Sequence, residues 1–264
     1  MPTLADPIAF AIGPIEVRWY ALFIVLGIVL AVGLAVWLAN QIGLDGEIIL
    51  DIAPIVVLAA IVGARLYYVM LEWDRYSSDL MGALNVRSGG LTIHGAIVGG
   101  GLAAWLLLRN KEGTIWQWFD VIVPALALGQ AIGRWGNWAN QEAFGTPTNL
   151  PWAVTIDPSR RPAGYEQYST FHPTFLYESV FSAVFCTILV VLVLNQGSIR
   201  WYRAGMVFGI YLFGYGVVRL ILESIRTDSL YIGPLPAAYW LSFALMLMGI
   251  AVVWMRRGNQ PKSA

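Results

Sequence analysis

Tyr215, Arg219, Glu223 and Arg226 follow one another at intervals of four, four and three residues inside an apolar stretch. At about 100° per residue on a helix they share an arc of roughly 80°. One helix face thus carries a phenol, two guanidiniums and a carboxylate. Two readings stand for it. The Arg219 and Glu223 side chains, one turn apart, could neutralise each other and merely hold helices together. Alternatively, the face serves chemistry, because ionisable groups in apolar spans are costly and usually mark function. A second polar set comprises Arg134, Asn137, Asn140 and Glu142, interleaved with the small residues Gly133 and Gly136. So many donors beside small residues suit an anionic phosphate ligand, which a guanidinium grips through a planar fork. The bland reading is a capped helix end, with Trp135 and Trp138 as interfacial anchors.

His94 opens another apolar stretch, where an imidazole can act as a base near neutral pH or simply pack. His172 precedes Pro173, and Pro at a helix start is ordinary capping, so a structural role is expected there. Tyr20, next to Trp19, reads by composition as an interface anchor. Arg65 is the third arginine at the edge of an apolar stretch. Cys186 is the single cysteine, which excludes an intramolecular disulfide and a multi-cysteine metal cluster. Its apolar surroundings suggest a small buried hydrophobe.

The elements that carry these residues follow from hydropathy. Of 264 residues, 58% are hydrophobic and only 12% are charged, too few to face water all round. The 16 basic and 16 acidic residues balance, so no nucleic-acid footprint is present. Crossing about 30 Å of hydrocarbon takes about 20 mostly apolar residues. Stretches of about that length run over 19–39, 48–71, 91–108, 117–138, 174–195, 204–223 and 238–255. The third is glycine-rich, and Asp120 and Pro124 interrupt the fourth. The expected fold is therefore all-α: a polytopic integral membrane protein with about seven transmembrane helices. Residues 1–264 are expected to form one transmembrane catalytic domain. Residues 1–17 hold Asp6, Pro2, Pro7 and Pro14 but no lysine or arginine, so no cleavable signal peptide is expected.

Basic residues near helix ends set orientation. Arg109, Lys111, Arg200, Arg203, Arg256, Arg257 and Lys262 fall on one side of such a bundle. Arg18, Arg75, Arg87, Arg160, Arg161 and Arg226 fall on the other, several of them in longer loops. The short-loop bias predicts a cytoplasmic C-terminus and an extracytoplasmic N-terminus. The connection at about 139–173, rich in proline and polar residues, is then an extracytoplasmic insertion. Its length suggests a functional segment, and residues 152–156 suggest a short strand in it. No internal repeat is visible, which weighs against an inverted-repeat transporter.

Several of these residues fall into a familiar order. Gly133, Arg134, Gly136, Asn137, Asn140 and Glu142 together resemble the motif of the bacterial prolipoprotein diacylglyceryl transferases. Supporting matches are Arg18-Trp19-Tyr20, then Gly63, Arg65 and Tyr68, then His94-Gly95. His172, Pro173, Thr174, Tyr177 and Glu178 follow, and then Gly214, Tyr215, Gly216, Arg219 and Glu223. Ala96 departs from the family's usual second glycine after His-Gly, a small change in packing.

The resemblance implies a seven-helix bacterial inner-membrane enzyme acting towards the outer leaflet. Its partners would be the bilayer, phosphatidylglycerol and prolipoprotein signal peptides, with no nucleic acid, metal or organic cofactor. The reaction it implies is the first step of lipoprotein maturation. The diacylglyceryl group of phosphatidylglycerol passes to a cysteine thiol, forming a thioether and releasing glycerol phosphate. Carried over position by position, Tyr20, His94, Arg134 and Arg219 would be catalytic. Asn137, Asn140, Glu142, Gly145, Tyr215 and Glu223 would join Arg134 and Arg219 in binding the lipid. Within that scheme Arg134 and Arg219 would stabilise the leaving phosphate, and Glu142 and Glu223 would orient the guanidiniums. His94 is the preferred base for the thiol, with an arginine-lowered thiol pKa as the alternative. A transporter or channel for an anionic solute is the rival from another class, since it too would bury arginines in a helix bundle.

Overall fold

The computed structural model describes residues 1–4, 6–77, 80–85, 89–227, 229 and 231–257. Arg87 and Lys262, counted above for orientation, lie outside them. A hairpin of β1 (Ile8–Ile12) and β2 (Ile15–Arg18) leads into α1 (Trp19–Gln41). Then come α2 (Glu47–Leu71), the short α3 (Trp73–Tyr76) and α4 (Leu80–Ala83), α5 (Ile93–Leu108) and α6 (Ile115–Asn140). The 139–173 connection contributes β3 (Val154–Thr155) and β4 (Thr170–Phe171). After it follow α7 (Thr174–Leu194), α8 (Met206–Glu223), β5 (Tyr231–Ile232), β6 (Leu235–Pro236) and α9 (Ala237–Arg257).

Six of these helices are long and apolar enough to cross a membrane, namely α1, α2, α6, α7, α8 and α9. The third expected span is α5, apolar but only 16 residues long. At 1.5 Å per residue that is about 24 Å, short of the hydrocarbon thickness. Large apolar side chains point outward along the helices, as with Val29 at 60% and Leu247 at 68% exposure. An apolar exterior of this extent fits lipid rather than water. The protein is therefore a polytopic α-helical membrane protein. The fourth span is not broken by its polar residues, since α6 runs unbroken through Asp120 and Pro124.

The chain divides into two compact units, Ala39–Trp118 and the remainder. In the first, α2 and α5 meet through glycines. A side chain on Gly95 would sit 2.2 Å from the Gly63 carbonyl oxygen, and one on Gly99 would sit 2.4 Å from that of Ala59. This is the close backbone approach that small residues permit in membranes. Arg65, 5% exposed, is consumed by backbone. It donates to the carbonyls of Gly82, Ala83, Gly89 and Gly90 at 2.7–3.1 Å. The α2–α5 connection thus wraps around its guanidinium, a structural role.

In the other unit, α1 packs on α6 along Gly129, Gly133 and Gly136, with Ile24 and Tyr20 against the last two. Asp120 is fully buried near the start of α6 and accepts three hydrogen bonds. They come from the Tyr202 hydroxyl at 2.6 Å and from the Gly205 and Phe208 amides at 2.7 Å each. Gly205, at φ 96°, turns the chain into α8, and Asp120 satisfies the amides that the new helix leaves open. Asp120 therefore caps α8 from a different helix. Asp120→Ala is expected to lower stability by about 2–3 kcal/mol, since it orphans donors held by a charged acceptor. Thermal unfolding of the purified variant in detergent checks this.

The 139–173 connection is a small folded module. Val154 and Thr155 pair antiparallel with Phe171 and Thr170, inside the stretch expected to form a strand. Phe144, Val154, Ile156, Phe171 and Phe175 form its buried core, with Trp135 and Trp138 packed against it. The two tryptophans thus pack against protein on one side. Trp135 donates its indole N–H to Ser179 (3.1 Å) and Trp138 donates to the Pro2 carbonyl (3.2 Å). Half-buried indoles need such partners, and α7 and the N-terminal segment supply them.

Candidate functional site

Helix direction gathers the polar residues at one end of the larger unit. Tyr20 begins α1, Arg134 and Asn137 close α6, Glu178 lies in the second turn of α7, and Arg219 and Glu223 close α8. Arg134 sits at the centre. Its Nη2 forms a short ion pair with Glu178, and its Nη1 donates to Asn137 Oδ1 at 3.3 Å. Asn137 Nδ2 in turn donates to Glu142 Oε1 at 3.0 Å, and Asn140 Nδ2 reaches the same oxygen at 3.5 Å. Glu142 therefore orients the two asparagines directly and Arg134 only through Asn137.

The turn that delivers Glu142 is tight. Gln141 and Ala143 both take left-handed backbone, at φ 54° and 56°, and Glu142 N–H bonds back to the Asn137 carbonyl at 3.0 Å. Left-handed backbone at alanine is strained and persists only where the surroundings impose it. Gly145 provides part of that imposition. Its amide donates to the His172 carbonyl at 2.9 Å, and the next amide, of Thr146, donates to the Ile225 carbonyl at 2.7 Å. A Cβ on Gly145 would sit 2.8 Å from the Ile225 carbonyl oxygen and 2.9 Å from His172 Cβ. Gly145 thus fastens the loop to the ends of α7 and α8, and its N–H is already used.

On α8, Arg219 Nη2 pairs with Glu223 Oε2 at 2.7 Å, and Arg226 Nε lies 3.9 Å from the same oxygen. The shared helix face read from the spacing is therefore formed for Tyr215, Arg219 and Glu223, whereas Arg226 lies beyond the end of α8. Glu223 is 3% exposed in its side chain and Arg219 is 18% exposed. Tyr215, one turn before Arg219, lies against Arg134 and within electrostatic reach of Arg219 and Glu178. Tyr20 is within electrostatic reach of Arg134 and Glu142. Its ring approaches α6 where Gly136 has no side chain, since a Cβ there would be 2.7 Å from the ring. Tyr20 is thus no mere interface anchor.

Glu178 was not singled out among the candidate site residues, although it stands in the motif beginning at His172. Its type and place are the signal: a carboxylate in the second turn of an apolar helix requires a cation. His172 Nδ1 lies 3.1 Å from the Tyr177 hydroxyl, which accepts from Trp152 at 3.0 Å, the structural role expected of it. His94 belongs to the other compact unit, exposed in the first turn of α5 with the Tyr67 ring 6.1 Å away. Thr92, just before it, is tied to the Ala64 carbonyl of α2 by both its amide (3.2 Å) and its hydroxyl (3.1 Å).

A guanidinium carries five N–H donors, and Glu178 and Asn137 occupy only part of Arg134's fork. Arg219 likewise retains donors beyond Glu223. Two arginines backed by carboxylates, with phenols alongside, can hold a phosphate and stabilise charge growing on it. Among the described residues, no group of three or more His, Cys, Asp or Glu could hold a metal ion.

Fold and site together define a multi-pass membrane protein with an arginine-centred polar cluster at one end of the larger unit's helices. The profile of the prolipoprotein diacylglyceryl transferases matches residues 7–255. The chain belongs to that family. Three similar proteins bear the name phosphatidylglycerol–prolipoprotein diacylglyceryl transferase. That of Synechococcus elongatus is 45% identical, covering 96% of this chain and 88% of its own. That of Nostoc is 40% identical over 98% and 93%, and that of Finegoldia magna 41% over 93% of each.

Proposed function

We propose that this protein transfers the diacylglyceryl group of phosphatidylglycerol to the cysteine thiol of a prolipoprotein signal peptide. Family membership and the names of its relatives support the reaction, and the paired Arg134–Glu178 and Arg219–Glu223 support the chemistry. The thiol sulfur attacks the glycerol carbon that bears the phosphate. A carbon–sulfur bond forms, the carbon–oxygen bond breaks, and glycerol phosphate leaves with the electron pair. The growing negative charge falls on the phosphate held by Arg134 and Arg219. Tyr20 and Tyr215 donate to head-group oxygens, and Asn137, Asn140 and Glu142 keep Arg134 in place. His94 takes the thiol proton. The single domain acts in the bacterial inner membrane, with the insertion at 139–173 outside the cytoplasm. The reading as an anionic-solute transporter has no support from the relatives.

The observation that carries this is the arginine pair at one end of the bundle in a chain of this family. Purified protein, phosphatidylglycerol and a signal peptide should release one glycerol phosphate per peptide modified, followed by ³¹P NMR. A peptide with serine in place of cysteine should release almost none. Release that ignores the peptide thiol contradicts the proposal.

The orientation has its own test. Arg109, Lys111, Arg200, Arg203, Arg256 and Arg257 flank the ends of α5, α7, α8 and α9. Reporters fused at Ser198 and after Arg257 should behave as cytoplasmic, and one at Ser159 as extracytoplasmic. The reverse pattern puts Arg134 on the wrong side for a secreted peptide.

A further inference from the structure

Arg200, Arg203 and Arg257 line a cavity of about 570 Å³ together with Trp201, Ile210 and Val253. It lies where α7 leads into α8 and where α9 ends. Met206, just past Arg203, and Arg219 are separated along α8 by about 20 Å at 1.5 Å per residue, so this is not the site described above. Basic residues at helix ends are common in membrane proteins, but orientation alone does not require them to line one cavity. Among the described residues, no carboxylate pairs with any of the three. Asp120, the buried acid at this end, is taken up by Tyr202, Gly205 and Phe208. Arg203 is held in place by Nη1, which donates to the carbonyls of Tyr202 (2.5 Å) and Arg200 (3.3 Å). Its Nε is buried and has no acceptor among the described residues. Three guanidiniums around one cavity, with no carboxylate among the described residues to neutralise them, suit an oxyanion.

The rest of the lining sets the kind of anion. Ile210 on α8 and Val253 on α9 give the cavity an apolar side. Trp201 is 55% exposed at its edge, an amphipathic ring of the type enriched at membrane–water boundaries. A small soluble anion has no use for that apolar side, whereas a phospholipid offers a phosphate joined to acyl chains. We propose that this cavity binds the phosphate of an anionic phospholipid in the leaflet at the α7–α8 end. Under the orientation proposed above that leaflet is the cytoplasmic one, away from the Arg134 site.

Phosphatidylserine serves as the probe, being anionic yet distinct from the proposed donor lipid. The full chain in neutral detergent is titrated with phosphatidylserine, phosphatidylcholine or inorganic phosphate, and bound molecules are counted by native mass spectrometry. The wild type should retain one phosphatidylserine at concentrations where phosphatidylcholine is not retained. Replacing all three arginines (R200Q, R203Q and R257Q together) should weaken that binding at least tenfold, while the charge-neutral double variant Arg134→Gln/Glu178→Gln leaves it unchanged. Arg257→Gln alone, at the exposed last residue of α9, should weaken it about threefold. This keeps the test valid where the triple variant does not fold. Equal retention of the two lipids, wild-type binding by the folded variants, or displacement of the lipid by millimolar inorganic phosphate would overturn the proposal.

Discussion

Arg219→Lys is expected to lower kcat/KM for diacylglyceryl transfer by about 10²–10³-fold, the usual cost of removing one preorganised donor from a developing anion. Lysine keeps the charge but not the fork, and Arg219 already gives Nη2 to Glu223 at 2.7 Å, so a point charge cannot face both partners. Arg134 requires a different design. Its partner Glu178 is 3% exposed in its side chain, so Arg134→Ala strands a buried carboxylate. Breaking such a pair costs about 3–5 kcal/mol, enough to mistake misfolding for lost catalysis. The double variant Arg134→Gln/Glu178→Gln removes both charges and should stay folded while losing activity to the same extent. Turnover with monodisperse protein, measured for both variants, checks this. Activity close to wild type in both would remove the phosphate from these arginines.

His94→Gln should lower the rate by about 10²–10⁴-fold near neutral pH, the usual worth of a general base. The sign of its pH dependence separates a base from a packing residue. A free thiol has a pKa of about 8.5, so as pH rises towards that value thiolate forms unaided and the defect should shrink. A histidine that only packs beside Tyr67 would give a constant ratio of variant to wild-type rate across the series. Glu142→Gln and Glu223→Gln belong in the same series, since a carboxylate is the other candidate base. A flat ratio for His94→Gln leaves an arginine-lowered thiol pKa as the better explanation.

What could be read from the sequence depended on whether the governing interaction was local. The spans were legible because an apolar run long enough to cross a bilayer has few other uses, and the short α5 was already the glycine-rich, weaker one. The α8 face was legible because helical spacing alone places Tyr215, Arg219 and Glu223 together, although Arg226 falls past the helix end. The partner of Arg134 was not, because Glu178 lies 44 residues away and meets it only once α6 and α7 pack. Arg65 stayed ambiguous for a similar reason. Its main partners are backbone carbonyls of α4 and of Gly89 and Gly90, which carry no residue signal. Asp120 interrupts an apolar run, yet nothing local shows that it caps α8, some 85 residues on. The packing of Trp135 and Trp138 was not legible, because their N–H partners, Ser179 and the Pro2 carbonyl, lie 44 and 136 residues away. The family motif carried much of the site, and Gly145 shows its limit. The motif marks the position, but only the structure shows a backbone clasp.

The most direct measurement is the intact mass of a cysteine-bearing lipoprotein signal peptide after incubation with phosphatidylglycerol and the purified protein. The peptide should gain one diacylglyceryl group, and alkaline removal of its two acyl esters should leave a glyceryl group on sulfur, as a thioether requires. A gain of a single acyl chain released by hydroxylamine, or no gain while the same protein moves anionic solutes across liposomes, would contradict it.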